Sequence, residues 1–453
     1  MTVTESPPVL SRAALTAAFL GTFLAVLDVA IVNVALPAIQ GSLSATFAQL
    51  QWIADGFALS LAALLLTGGL LGDRFGRKRV YLGGVGLFLL GSLVCAVAPV
   101  IGVLIAGRVV QGVAAAIVMP GAMSIVGRST TDRAVRARLL GLYGVVVSFG
   151  FVAGPLLGGV LVDTLGWRSI FLVNLPVGAI ILLLGWRGLT ESADPEHAHP
   201  DVPGQILAVL FLGALVFATI EYREYGWHSV PTWTAVVISV LSLVGLIVVE
   251  QRSRQPMLPV TLFRDPRFTV TNFGAAALGF AAGGSLYLVS LYLQDERGNT
   301  AMMTGILLLP LTIATIPGSY LAGRLTARYA AWVPMSIGFT CVGVAMIAMV
   351  SFDATTPYLP IAVAFAAHGL GQGLSITPAS AAVLEIVPRE RAGMASATVS
   401  AARQGGTALG IAVLGAISAH GALLSGLTVA GVVILVAAVL MLLLRKKKAF
   451  TPT

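Results

Sequence analysis

Apolar residues in this chain come in long unbroken stretches, and the short segments between them hold most of the charge. A helix needs about 18 or more apolar residues to cross a bilayer. By that measure the first six spans are Ala14–Ala38, Ala48–Leu71, Val80–Ala98, Ile101–Val126, Leu139–Leu165 and Ile170–Trp186. Thr190–Pro203, polar and rich in Pro, His and acids, is the clearest linker, and Gly204–Ile220 and Thr232–Val249 follow it. After an amphiphilic connector, Glu250–Phe268, six more spans close the chain: Thr269–Leu293, Met302–Ala327, Val333–Val350, Pro357–Ile386, Gly393–Ala419 and Leu423–Leu444. Continuous runs, without the alternation a barrel strand requires, make these helices. The pattern predicts an all-α polytopic membrane protein of fourteen transmembrane helices, arranged six, two, six. Residues 1–189 are expected to form an N-terminal six-helix bundle. Residues 190–267 form a linker with two extra transmembrane helices, and residues 268–453 a C-terminal six-helix bundle with a basic tail.

Composition agrees: 57% of the 453 residues are hydrophobic and 10% charged, against roughly 45–50% and 25% in average proteins. The net charge of +8 raises the question of nucleic acid, but the bases sit at span ends and form no patch interleaved with aromatics. Short cytoplasmic loops collect Lys and Arg. With both termini in the cytoplasm, 22 of the 27 bases lie on that side, and only Arg168, Arg223 and Arg297 lie outside. Met1–Leu10 has no basic region and no small-residue cleavage site, so the first helix is expected to direct its own insertion. Cys95 and Cys341 fall inside apolar runs and read as small core residues.

Two kinds of residue carry candidate chemistry. The first is the charged hairpin Gly69–Arg79, which cannot lie in hydrocarbon and must turn at a membrane face. Its bases alone would make a topology signal. Asp73, Arg74, Gly76 and Arg77 at fixed spacing, with Gly69 permitting close approach, suggest a gate latch as well. Asp132 is the nearest sequence candidate to pair with Arg77, and the helix start near Gly393 could receive Asp73. The stretch has a faint echo at Leu321–Arg328, and Gln111-Gly112 is echoed by Gln372-Gly373, as two duplicated halves would produce.

The second kind is the buried charge. Asp28, Asp55, Arg108 and Arg403 lie within spans, each costly unless paired or facing water, and His368 is a titratable companion. They read either as functional groups or as structural ion pairs, and His368 either as a proton carrier or as a satisfied core histidine. Counting 1.5 Å per residue puts Asp28, Asp55 and Arg108 at a common depth, roughly 10 Å below the outer surface, where they are expected to share a site. Asn33, Gln111, His368, Gln372 and Arg403 are candidate cavity residues. In the fifth span, Gly150, Gly154, Gly158 and Gly159 surround Pro155, spacing that fits either static close packing or a bendable helix contact.

Taken together, the motifs resemble those of the major facilitator superfamily, in its fourteen-helix drug–proton antiporter branch. GLLGDRFGRKR resembles the superfamily's loop signature, and Leu27-Asp28…Asn33…Pro37 a first-helix motif of the branch. Arg108-x-x-Gln111-Gly112 resembles the fourth-helix motif, and Gly150…Gly154-Pro155…Gly159 the fifth-helix antiporter motif. Trp167-Arg168-x-x-Phe171-x-x-Asn174-x-Pro176 resembles another block of the branch. The resemblance implies two bundles rocking about a central cavity in a bacterial cytoplasmic membrane. It also implies export of small hydrophobic drugs or antibiotics driven by protons, with no cofactor, by what is expected to be a monomer. Asp28 would carry protons or contact substrate, with Arg108 tuning it; from its depth, Asp55 is expected to help set the pKa of Asp28 as the coupling carboxylate. Asp55 stands where such proteins often have a neutral residue, and the tenth span holds no acid, which favours a narrower substrate range over broad dicationic drugs. A narrow metabolite exporter or proton symporter is the alternative. A membrane enzyme is remote, since five histidines are scattered without metal or nucleophile spacing.

Overall fold

A computed structural model describes residues 11–127, 133–193, 201–253, 258, 260–387, 392–418 and 423–444. Among these residues the chain forms fourteen helical rods and no strand. They are α1 (Arg12–Leu43), α2 (Phe47–Phe75), α3 (Arg77–Ala96), α4 (Ile101–Gly127), α5 (Arg133–Leu165), α6 (Ser169–Gly188) and α7 (Val202–Tyr225). After these come α8 (Val230–Arg252), α9 (Pro266–Leu291), α10 (Ala301–Arg328), α11 (Trp332–Met349), α12 (Tyr358–Leu384), α13 (Ala392–Ser418) and α14 (Gly426–Leu444). Thirteen are long and apolar enough to cross a membrane by length and composition. The other is α13, 27 residues long, whose run is diluted by Arg403 and Gln404.

Helix ends fall where polar caps allow, so the rods outrun the apolar stretches that announce them. Ser11 accepts from the Ala14 amide at 3.1 Å to start α1. Thr46 and Gln49 close a reciprocal capping box at the start of α2. Interruptions have local causes: α6 breaks at Val173, two residues before the Leu175-Pro176 pair, and α10 breaks at Leu308 and Ala314 around Pro310, which has no amide to donate.

Short loops make neighbouring rods antiparallel, giving one end with the Arg74–Arg79 hairpin, here the basic end, and an opposite end. In the first bundle α1 packs on α5 and α6, and α4 on α2 and α3; in the second α9 packs on α13 and α14, and α12 on α10 and α11. The inserted α7 and α8 pair with each other, and α7 lies against both α2 and α13. Leu36 and Leu50 of the first bundle share one buried core with Leu288 and Leu414 of the second, near the opposite end. Nearer the basic end, Ala14, Leu24, Tyr81 and Val118 belong to a separate core whose buried members all come from the first bundle. The two bundles are therefore fused by apolar packing at one end.

Candidate functional site

The polar centre of the first bundle is built from side chains of four helices and a backbone carbonyl of a fifth. Asp28 on α1 is completely buried and forms a short ion pair with Arg108 on α4. Its other carboxylate oxygen accepts from Gln111 Nε2 at 3.0 Å and Asn174 Nδ2 at 2.9 Å. Both of those amides also donate to Ser92 Oγ on α3, at 2.9 and 3.1 Å. Arg108 donates further to the Ile53 carbonyl at 3.1 Å and to Gln111 Oε1 at 2.7 Å, with its guanidinium carbon 4.6 Å from the Phe57 ring centroid. An ion pair in hydrocarbon is tolerated when every remaining lone pair and proton finds a partner, and this one is closely so satisfied. A proton added to Asp28 meets an oxygen already engaged, by Arg108 on one side or by the two amides on the other.

Asp55 departs from the expected shared site. It is also fully buried, yet among the described residues neither carboxylate oxygen has a hydrogen-bond partner, so no hydrogen bond joins it to the Asp28–Arg108 pair. Its electrostatic neighbour is Tyr287 of the second bundle, whose buried hydroxyl is likewise unpartnered. Depth along the helix is right for all three charges, but α2 turns Asp55 toward the other bundle. Equal depth does not fix the azimuth of a helix.

At the opposite end the bundles are tied by polar as well as apolar contacts. Gln51 Nε2 donates to the Ile411 and Ala412 carbonyls of α13 at 3.0 and 2.9 Å. Ser290 donates to the Asn33 carbonyl at 2.9 Å, and Gln294 to the Val34 carbonyl at 3.0 Å. The Met302 amide donates to Asp163 at 2.9 Å.

The fifth-helix glycines divide between two partners. A Cβ on Gly150, Gly154 or Gly158 would meet Val26, Ala30 or Ile31 of α1 at 3.0, 2.5 or 2.7 Å. On Gly159 it would stand 2.5 Å from the Ala301 carbonyl oxygen of α10. The stripe seats α5 on the stretch of α1 that carries Asp28, and its last residue touches the other bundle. Pro155 leaves α5 continuous, and Gly305 packs against its carbonyl.

On the basic loop, Asp73 accepts from Arg77 Nε at 2.8 Å, so the two pair with each other. Asp132 lies outside the described residues. Gly76 has φ +100° between α2 and α3, a conformation that glycine adopts without strain. Glu191, after α6, sits beside it, accepts from the Lys78 amide at 3.1 Å and the Arg79 amide at 3.3 Å, and pairs with Arg79 Nε at 3.6 Å. Gly69 packs on Pro120, and Arg74 lies over the Phe75 ring.

The remaining cavity candidates are spread apart. Gln111 belongs to the Asp28 cluster, and Asn33 donates to Val29 of its own helix at 2.8 Å. Buried His368 lies 2.6 Å from Gln372 and 3.4 Å from Ser285, inside the second bundle. Arg403 lines a pocket bordered by α9, α11, α12 and α13. Sequence reasoning named neither Ser92 nor Glu191. A serine is common in apolar helices, and Glu191 stands out only once the hairpin is folded against it. Asn174 was visible in its block without a role.

The sequence model described as the Major Facilitator Superfamily matches residues 18–365 and 273–452. The methylenomycin A resistance protein of Streptomyces coelicolor is 38% identical over 429 residues, 93% of this chain and 90% of the relative. The multidrug resistance protein Stp of Mycobacterium tuberculosis is 39% identical over 404 residues, covering 88% of this chain and 74% of its own. Among solved structures, a peptide transporter POT in complex with sulfate superposes with a TM-score of 0.73 at 16% identity, over 97% of this chain and 96% of the other. At that identity the likeness speaks for the fold alone.

Proposed function

This chain belongs to the major facilitator superfamily, and from that membership we propose that it exports a small hydrophobic drug or antibiotic in exchange for protons, by alternating access. Relatives that match nearly its whole length are named for resistance to antibiotics and drugs, which supports the cargo class. The observation that carries proton coupling is the buried Asp28, held by Arg108, Gln111 and Asn174. A carboxylate so held gives up its ion pair when it takes a proton, and α1 then keeps only the Gln111 amide of its two polar ties to α4. Asn33 and Val34, whose carbonyls receive the ties from Ser290 and Gln294, lie five and six residues farther along the same helix, roughly 8 Å by the helical rise. Protonation and sealing are thus written on one rigid rod.

The positive-inside rule puts the basic end in the bacterial cytoplasm, with both termini, so the sealed end faces outward. The protein works as a monomer of two bundles, residues 1–189 and 268–453, with residues 190–267 inserted between them. The proton gradient drives it without a cofactor. The deciding experiment is substrate accumulation in inverted vesicles, with and without an imposed proton gradient. Accumulation that needs the gradient and fails in Asp28→Asn supports the reading; gradient-driven accumulation by that variant refutes it.

A further inference from the structure

Arg403 is the membrane cation that the mechanism leaves unused. It stands eleven residues into α13, half-buried, and takes part in no salt bridge among the described residues. It borders a pocket with Ser375, Ser380, Ser400, Phe339 and Leu278. Three hydroxyls and one guanidinium thus meet an apolar wall, and no carboxylate lines the pocket. The two membrane acids near the bundle interface are elsewhere: Asp28 is committed to Arg108, and Asp55 lies beside Tyr287. From the other bundle, Tyr143 of α5 lies across from Arg403, with its hydroxyl beside Thr22 of α1. Arg403, Tyr143 and Thr22 all lie ten or eleven residues from the basic end of their helices, at one level across the gap between bundles.

A cation kept inside a membrane protein demands a negative partner or water, and the guanidinium fork fits a carboxylate through two parallel hydrogen bonds. We propose that the Arg403 pocket is a substrate subsite that takes the carboxylate of an anionic, otherwise hydrophobic compound. Arg403 with the Ser380 and Ser400 hydroxyls would hold the acid group, the Ser375 hydroxyl being donated to the Gly371 carbonyl at 2.8 Å, and Phe339 and Leu278 would hold the apolar body. This rests on the export reading and names the charge of its cargo: amphiphilic acids, in preference to cations.

Three fluorescent probes with one apolar body test the charge directly: pyrenebutyrate, its methyl ester, and pyrenebutyltrimethylammonium, titrated into the purified full-length protein in detergent. A charge-assisted bond predicts that the carboxylate binds about tenfold or more tightly than the other two. Arg403→Gln should abolish that preference and Arg403→Lys should keep part of it, with both variants checked for a monodisperse elution profile. Equal affinities in the native protein, absence of saturable pyrenebutyrate binding, or a preference unchanged in Arg403→Gln would overturn the proposal. Binding needs no gradient, so failed transport alongside Arg403-dependent binding would sink the export reading and leave the subsite standing.

Discussion

At the scale of the residue, Asp28 and Arg108 are unequal partners. Without Arg108, the carboxylate keeps two amide donors but loses its counter-charge. Removing one member of a buried pair typically costs about 3–5 kcal/mol. Arg108→Ala should therefore lower thermal stability strongly and shift the pH optimum of export as well as its rate. Asp28→Asn should cost less, since Arg108 retains Gln111, the Ile53 carbonyl and the Phe57 ring. Adding Asp28→Asn to Arg108→Ala should restore part of the lost stability, measured as a thermal unfolding midpoint; no recovery would mean that the pair is not the source of the cost. That Asp28 and Arg108 meet was legible in the sequence, because a charge inside a span must find a partner and these two share a depth. That Asp55 stays out of the cluster was not, because hydropathy records how far along a helix a residue lies and not which way it points.

At the scale of the element, α5 and α7 carry the most specific expectations. Gly159 meets the backbone of α10, and backbone cannot step aside. Gly159→Val should hold the opposite end ajar. In a background with Cys95 and Cys341 replaced by Ser, a cysteine at Ala412, buried in the native chain, should then label with an impermeant thiol reagent from that end. Unchanged protection would make the contact incidental. The inserted α7 ties to the first bundle by polar bonds: Gln205 to the Ala63 carbonyl at 2.6 Å, and Glu221 to Trp52 Nε1 at 2.7 Å. Toward α13 it offers apolar contact, such as Leu212 against Gly405. Hence α7 should travel with the first bundle. A short thiol crosslink between cysteines at Thr67 and Gln205 should leave transport intact, and one between Leu212 and Gly405 should arrest it; the reverse pattern would assign α7 to the second bundle. The spacing of the fifth-span glycines announced close packing, but its two-sided use depends on tertiary partners that spacing does not name.

At the scale of the whole molecule, helix number and alternation followed from run length and charge, the coarsest signals in the chain. The site of fusion did not, since apolar residues line both ends of every span. A cysteine at Ser192 should be shielded from an impermeant reagent in intact cells and one at Asn299 should react; labelling at Ser192 would invert the orientation. The seal itself has one further property. Gln51, Ser290 and Gln294 reach across to main-chain carbonyls, and a carbonyl is offered by whichever amino acid occupies the position. The receiving residues Asn33, Val34, Ile411 and Ala412 can therefore change identity, within the space available, without deleting the bond. A lock that reads only the partner's backbone leaves the facing side chains free to drift toward new cargo while the door still shuts.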